Sequence, residues 1–306
     1  MAATFSQLAI LFLFLSLGVI LGRIKHISVE KSNLLSMLLV NVFLPCKVFS
    51  NFSTRCTASY LKNNWQTLLI SLGFLLFLVL FSWVVSKRLT QEAYERRLFR
   101  YSFTIANYSY LGYVFVEAVL GAQALTDMIL FCIPFAFYTY TFGYSLLTAR
   151  EGSVSIKRAI NPMTVALLLG AAVGVSGIAL PGFLTTALGN ASTCVGPLSM
   201  ILTGIVIASF PWRELLPDGK TWIFAAMRLA VIPAMLLLIC KLLDLLGILT
   251  PAVYPIVVIM GCMPCGLNTI VFPVLIGEDC KLGARFVLLS HILCLVTIPL
   301  WMWILI

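Results

Sequence analysis

The sequence predicts an all-α integral membrane protein with ten transmembrane helices, built as two inverted five-helix repeats whose fourth and ninth helices are interrupted. Three observations carry this. Of 306 residues, 61% are hydrophobic and only 10% charged, at a mean hydropathy of +1.06. Soluble domains carry roughly a quarter charged residues, so this chain could not build a water-facing surface. The apolar residues also form separate blocks, each near the ~20 residues that a helix needs to cross ~30 Å of hydrocarbon. Finally, the Lys and Arg residues between the blocks fall almost entirely on one side.

The blocks place spans at residues 6–22, 33–53, 65–86, 97–120, 127–148, 161–178, 188–210, 221–243, 253–277 and 283–305. The first has no basic stretch before it and no small-residue cleavage site after it, and Arg23 and Lys25 follow it, so it reads as a retained helix and not a signal peptide. No loop is long enough for a soluble domain, and one membrane domain fills residues 1–306. With ten spans, one side of the membrane holds fifteen of the 20 Lys and Arg, among them Arg150, Lys157 and Arg158, while the other has Arg55, Lys62 and Lys241. The positive-inside rule then puts both termini on the extracytoplasmic side of a cell membrane, plasma or inner. The net charge of +9 is explained by this loop bias, and no continuous basic stripe suggests nucleic acid.

Span 2 carries Pro45 in Leu44-Pro45-Cys46-Lys47, and span 7 carries Gly196-Pro197 at a comparable depth, 152 residues later. Span 4 holds a polar, glycine-containing interruption, Asn107-Tyr-Ser-Tyr-Leu-Gly112. Span 9 holds another, Met263-Pro-Cys-Gly-Leu-Asn268, 156 residues further on. Because five is odd, a five-helix unit used twice (1–150 and 151–306) must sit in opposite orientations, the pattern of a secondary transporter. A broken helix is tolerated in hydrocarbon only where protein or a wet cavity satisfies its backbone, so the two interruptions should meet near the midplane. There, half-helix N-termini suit an anion, and Asn107 and Asn268 offer both donors and an acceptor. Ser109, Tyr138, Tyr140, Thr141 and Thr269 could line the same pocket or satisfy freed backbone groups. Prolines and glycines that simply kink packed helices are the alternative.

These motifs resemble the auxin efflux carrier family of plant auxin carriers and bacterial permeases assigned to malate or malonate. The likeness rests on Val42-Phe-Leu-Pro-Cys-Lys-Val-Phe-Ser50, Asn107 to Gly112, Asn161-Pro162, Met263-Pro-Cys-Gly-Leu-Asn-Thr269 and Ser290 to Trp301. It implies a fold similar to bile-acid and sodium/proton transporters, with helices 4 and 9 crossing at the substrate and organic anions moved by an elevator-like motion. By position, Asn107 and Asn268 would flank the crossing and Pro264, with Gly266, would break helix 9. Many relatives have a proline where Val114 stands here, so Gly112 is expected to permit the helix 4 break alone.

Four other residues merit weighing. Lys47, an ionisable group within a span, is a functional candidate by default: it could pair with a carboxylate substrate, replace a coupling Na⁺, carry a proton, or snorkel toward headgroups. Glu117, late in span 4, is a second candidate proton site or an interfacial residue. Arg228 stands about two turns inside span 8, where snorkelling is the simpler reading. Cys262 and Cys265 form a Cys-x-x-Cys, read as structural small residues beside the break because no second pair or histidine completes a metal site.

The resulting expectation is a carrier with a small organic anion substrate, H⁺ or Na⁺ as the coupling ion if any, and the lipid bilayer as its surroundings. A homodimer is left open, and no cofactor or metal is called for. No Walker-type motif is present. With two histidines and almost no carboxylates inside the spans, a membrane-embedded enzyme is disfavoured. A transporter-like sensor that signals through a partner is the alternative of a different class.

Overall fold

A computed structural model describes residues 2–27, 30–148, 155–248, 253–274 and 277–305. Arg150, and residues 275–276 of the predicted ninth span, lie outside the described residues. The principal helices are α1 (Ala3–Lys25), α2 (Asn33–Arg55), α3 (Gln66–Leu89), α4 (Ala93–Thr104), α5 (Tyr108–Leu120), α6 (Ala122–Phe131), α7 (Ile133–Leu147), α8 (Pro162–Ser176), α9 (Gly182–Ala208), α10 (Gly219–Leu245), α11 (Tyr254–Cys262), α12 (Asn268–Val274) and α13 (Lys281–Leu305). Among the described residues, six of these are long and apolar enough to cross a bilayer, or seven if α6 and α7, bent by 49° to one another, make one span. Their outward faces carry Leu13, Leu76, Leu80 and Trp303, all exposed, as lipid-facing helices require.

Local signals explain where α8 starts and stops. Asn161 Oδ1 accepts hydrogen bonds from the Met163 and Thr164 N–H groups, each at 3.1 Å, Pro162 occupies the first turn, and Gly177 ends the helix at φ 68°. Beyond helices that start earlier than expected, at Ala93 for span 4 and Gly182 for span 7, two boundaries differ in kind. Residues 122–126, read as loop, open α6, because Gly121, at φ 88°, turns the chain directly from α5 into it. The second difference is the interruption of span 4. The break is at Ile105–Asn107, ahead of the expected segment, while Gly112 lies inside a π-helical turn, Tyr108–Gly112. No glycine is needed at the break itself, because extended backbone there is held by hydrogen bonding across the molecule.

Small residues set the helix pairing. α1 lies against α9 at Gly18 and Gly22: a Cβ on Gly18 would come 2.9 Å from Ile201 Cα, and one on Gly22 would come 2.7 Å from Ala208 Cβ. α8 lies against α2 at Gly170 and Gly174 in the same way, with 3.1 Å from Gly170 to Phe49 Cα and 2.7 Å from Gly174 to the Cys56 carbonyl oxygen. Glycine lets two backbones approach this closely, and in lipid, where apolar burial no longer drives association, close approach is what holds helices together.

A buried crossing with two asparagines

The ends of α4 and α11 run toward each other, and their continuations pair as a minimal antiparallel bridge between Ala106 and Cys265. The Asn107 N–H donates to the Pro264 carbonyl at 2.9 Å. The Cys265 N–H donates to Ser290 Oγ of α13 at 2.9 Å, and that hydroxyl donates onward to the Phe286 carbonyl at 2.5 Å. Each break thus satisfies part of the other's backbone, which is the condition for irregular chain inside a membrane protein.

Two half-helices end here, and helix C-termini concentrate unpaired carbonyls and partial negative charge. The charge that answers them is Arg228. It is fully buried, its Nη1 donating to the Phe103 carbonyl of α4 at 3.0 Å and its Nε to the Met263 carbonyl beyond α11 at 3.1 Å; Nη2 reaches the Met260 carbonyl at 3.5 Å. The expectation that Arg228 snorkels to the membrane surface is therefore wrong. Depth from the helix end says nothing about the direction a side chain faces, and this one faces inward from a π-helical turn, Met227–Val231, that widens α10. Just beyond it, Pro233 lacks the N–H that would bond the Leu229 carbonyl, and Trp301 Nε1 of α13 takes that carbonyl at 2.7 Å.

On the other side of the bridge lies a polar cleft lined by Ala106, Asn107, Ser109, Thr139, Tyr140, Gly266 and Asn268, among others, with about 20 Å³ of free volume, room for a single water. Asn107 is buried and places its Nδ2 3.3 Å from His291 Nε2, while Asn268 Nδ2 donates to the Tyr101 hydroxyl at 2.9 Å. Of the expected site residues, Asn107, Ser109, Gly266 and Asn268 share this cleft. Pro264 contributes through its carbonyl. Gly112 instead keeps space for Met128 and Met263, and Thr269 turns its hydroxyl to the Gly266 carbonyl at 2.8 Å. Tyr140 lines the cleft, whereas Thr141 bonds the Phe137 carbonyl and Tyr138 stacks on Phe142. Cys265 Sγ lies among the Ser102 and Thr269 hydroxyls, and Cys262 Sγ bonds the Ile259 carbonyl.

A larger cavity of about 100 Å³, lined by Val48, Tyr113, Ile133 and Met163 among others, has almost no polar lining and so offers nothing to orient a charged ligand. Lys47 and Glu117 form an ion pair with each other and line neither cavity; Lys47 is 3% exposed and Glu117 39%. The roles of three residues of the crossing escape a reading of the sequence: Arg228, His291 and Ser290. Their partners are backbone groups or side chains far away in sequence, and no local spacing announces them.

Membrane-length helices around two interrupted ones, paired across a buried polar cleft, describe a multi-pass membrane transport protein. Sequence comparison gives the particular family: a family described as Membrane transport protein matches this chain twice, over residues 3–157 and 151–302. The chain belongs to that family, as the auxin efflux carrier motifs imply. It is also 25% identical, over 98% of both chains, to an uncharacterized transporter of Methanothermobacter thermautotrophicus.

Proposed function

We propose that this transporter is a secondary carrier for a small organic anion, a carboxylate such as malate, malonate or an auxin-like acid, working by elevator-type alternating access. The observation that carries the reading is the cleft at the crossing, where Asn107 and Asn268 from the two interrupted spans stand on one polar surface. Their amide groups would supply donors to the carboxylate. The cleft must widen before a carboxylate enters, which is what alternating access provides.

The proposal includes ten spans in two inverted repeats, residues 1–150 and 151–306. Its support is a register in the glycine contacts. Gly18 and Gly170, Gly22 and Gly174, Phe49 and Ile201, and Cys56 and Ala208 are each 152 residues apart, the same separation as Pro45 and Pro197. The first helix of each half thus meets the second helix of the other half in the same way. With this topology the basic loops face the cytoplasm and both termini the outside of a cell membrane. Lys47 and Glu117 are the candidate site for a coupling proton, with Na⁺ coupling or a homodimer open to the same assays.

The test is uptake of labelled malate, malonate, succinate and indole-3-acetate into proteoliposomes, with proton, sodium and potential gradients imposed separately. Saturable flux of one of them is expected. Asn107→Ala and Asn268→Ala should each weaken apparent affinity by about tenfold, ~1.4 kcal/mol, while the protein stays in the membrane. Unchanged uptake in both variants removes the crossing as the site. Binding without flux would instead favour a sensor.

A further inference from the structure

We infer that His291 is a proton-operated positioning residue that sets which end of the Asn107 amide faces the cleft. The geometry assigns the ring's protons. His291 Nδ1 lies 2.8 Å from the Val287 carbonyl, which can only accept, so Nδ1 carries the hydrogen. In the neutral ring Nε2 is then a bare acceptor, and the group 3.3 Å away, Asn107 Nδ2, donates to it. One amide N–H is consumed in this way, and Asn107 is left with its carbonyl oxygen and one N–H for the cleft it lines.

A proton on Nε2 reverses this. Both ring nitrogens then donate, Asn107 must turn its oxygen to His291, and both of its N–H groups become available on the other side. A carboxylate accepts hydrogen bonds and donates none when ionised. Protonating His291 therefore converts Asn107 from a mixed surface to a donor surface and adds a buried positive charge behind it. Anion affinity rises with the proton on, and by linkage the bound anion raises proton affinity. The mechanism moves its proton at His291, in place of the Lys47–Glu117 pair considered above, and rests on the anion-carrier reading above for the identity of the ligand.

The surroundings allow the ring to act alone. On α13 itself the Cys294 thiol donates to the His291 carbonyl at 3.0 Å. From other elements the polar group that meets the ring is the Asn107 amide, and the one buried cation of the crossing, Arg228 on α10, is committed to backbone carbonyls. α9, α11 and α12 contain no charged residue, and α1 has only Arg23 and Lys25 at its end. Among the described residues no carboxylate contacts the ring.

The chain has two histidines, so the His26→Gln protein reports on His291 alone. Nitrogen-15 imidazole spectra of the full-length purified protein, from alkaline pH down to well below the ordinary histidine range, should give the Nδ1–H tautomer at high pH and protonation at Nε2 only toward the acid end, because burial disfavours the charged ring. Asn107→Leu should move the Nε2 resonance. Added malate should shift the titration upward, and malate affinity should increase several-fold toward low pH in the parent and stay flat in His291→Gln. An Nε2–H tautomer, an Nε2 resonance indifferent to Asn107→Leu, or an unaltered pH dependence in His291→Gln would overturn the proposal. If no anion binds at any pH, the carrier reading fails, and the tautomer and the Asn107 effect still decide the switch.

Discussion

Without the Arg228 guanidinium, the carbonyls of Phe103 and Met263 would face the protein interior with no donor. Each buried polar group left bare costs roughly 1–3 kcal/mol. Arg228→Met is therefore expected to lower thermal stability sharply and abolish transport, whereas Arg228→Lys keeps a charge and loses only the planar fork that spans two half-helices. Equal loss in both would mean that charge plays no part. Lys47 calls for a different test. Its ammonium is nearly enclosed while Glu117 is partly exposed, so removing the carboxylate leaves a buried charge without its partner. Glu117→Gln should destabilise the protein more than the double change Lys47→Met/Glu117→Gln, measured by thermal unfolding in one detergent. At this scale the sequence was readable for Asn107 and Asn268, which carry their polarity in the middle of apolar spans. It was unreadable for Arg228, whose partners are carbonyls and so leave no residue type to notice.

The helix pairs owe their closeness to glycine, and the contacts make a specific prediction. Gly174→Leu would drive a side chain into the backbone of α2 near Cys56, and Gly22→Leu would drive one against the Ala208 methyl group and the backbone of Ile205 on α9. Overpacking typically costs 1–3 kcal/mol, and at Gly174 the obstacle is main chain. Both variants should lose stability by amounts of similar order, because each puts a side chain where two helices meet at repeat-related positions; Gly73→Leu, where nothing lies within 4 Å, should be tolerated. A large difference between the first two would count against equivalent halves. The signal for these contacts is local, since Gly18 and Gly22, like Gly170 and Gly174, are each spaced as Gly-x-x-x-Gly. The position of the span 4 break is not local. Ile105 and Ala106 have neither proline nor glycine to mark them, and they are extended because Pro264 and Cys265 lie opposite.

Across the whole molecule, basic and acidic residues from distant loops gather at one end. Lys220 pairs with Glu95 at 2.5 Å, Arg285 with Asp218 at 3.0 Å and Lys281 with Glu214 at 3.4 Å, which joins the starts of α4, α10 and α13. Burial pushes the Asp218 carboxyl up, but hydrogen bonds from the Thr221 hydroxyl and N–H and the nearby Arg285 outweigh it, so its pKa is lowered. A lowered carboxylate pKa stabilises the fold above the unfolded value, about 3.9, and this stability is lost as pH falls through the folded value. Thermal stability should thus lose an Asp218 contribution only below about pH 4, and Asp218→Asn should remove that acid-dependent part. The charge asymmetry of the loops foretold that these cations share a side; which acid each one meets depends on how the helices are arranged.

The bridge between Ala106 and Cys265 also has a chemical consequence. With Asn107 N–H bonded to the Pro264 carbonyl, the two bridged residues are a non-hydrogen-bonded antiparallel pair, whose Cα atoms approach to roughly 4.5 Å. That separation is within reach of a disulfide, and one sulfur is already present. In Ala106→Cys, mild oxidation should therefore weld the crossing shut without a second substitution. A carrier whose two interrupted spans travel together would go on working when stapled in this way, and one that has to part them would stop until reductant is added.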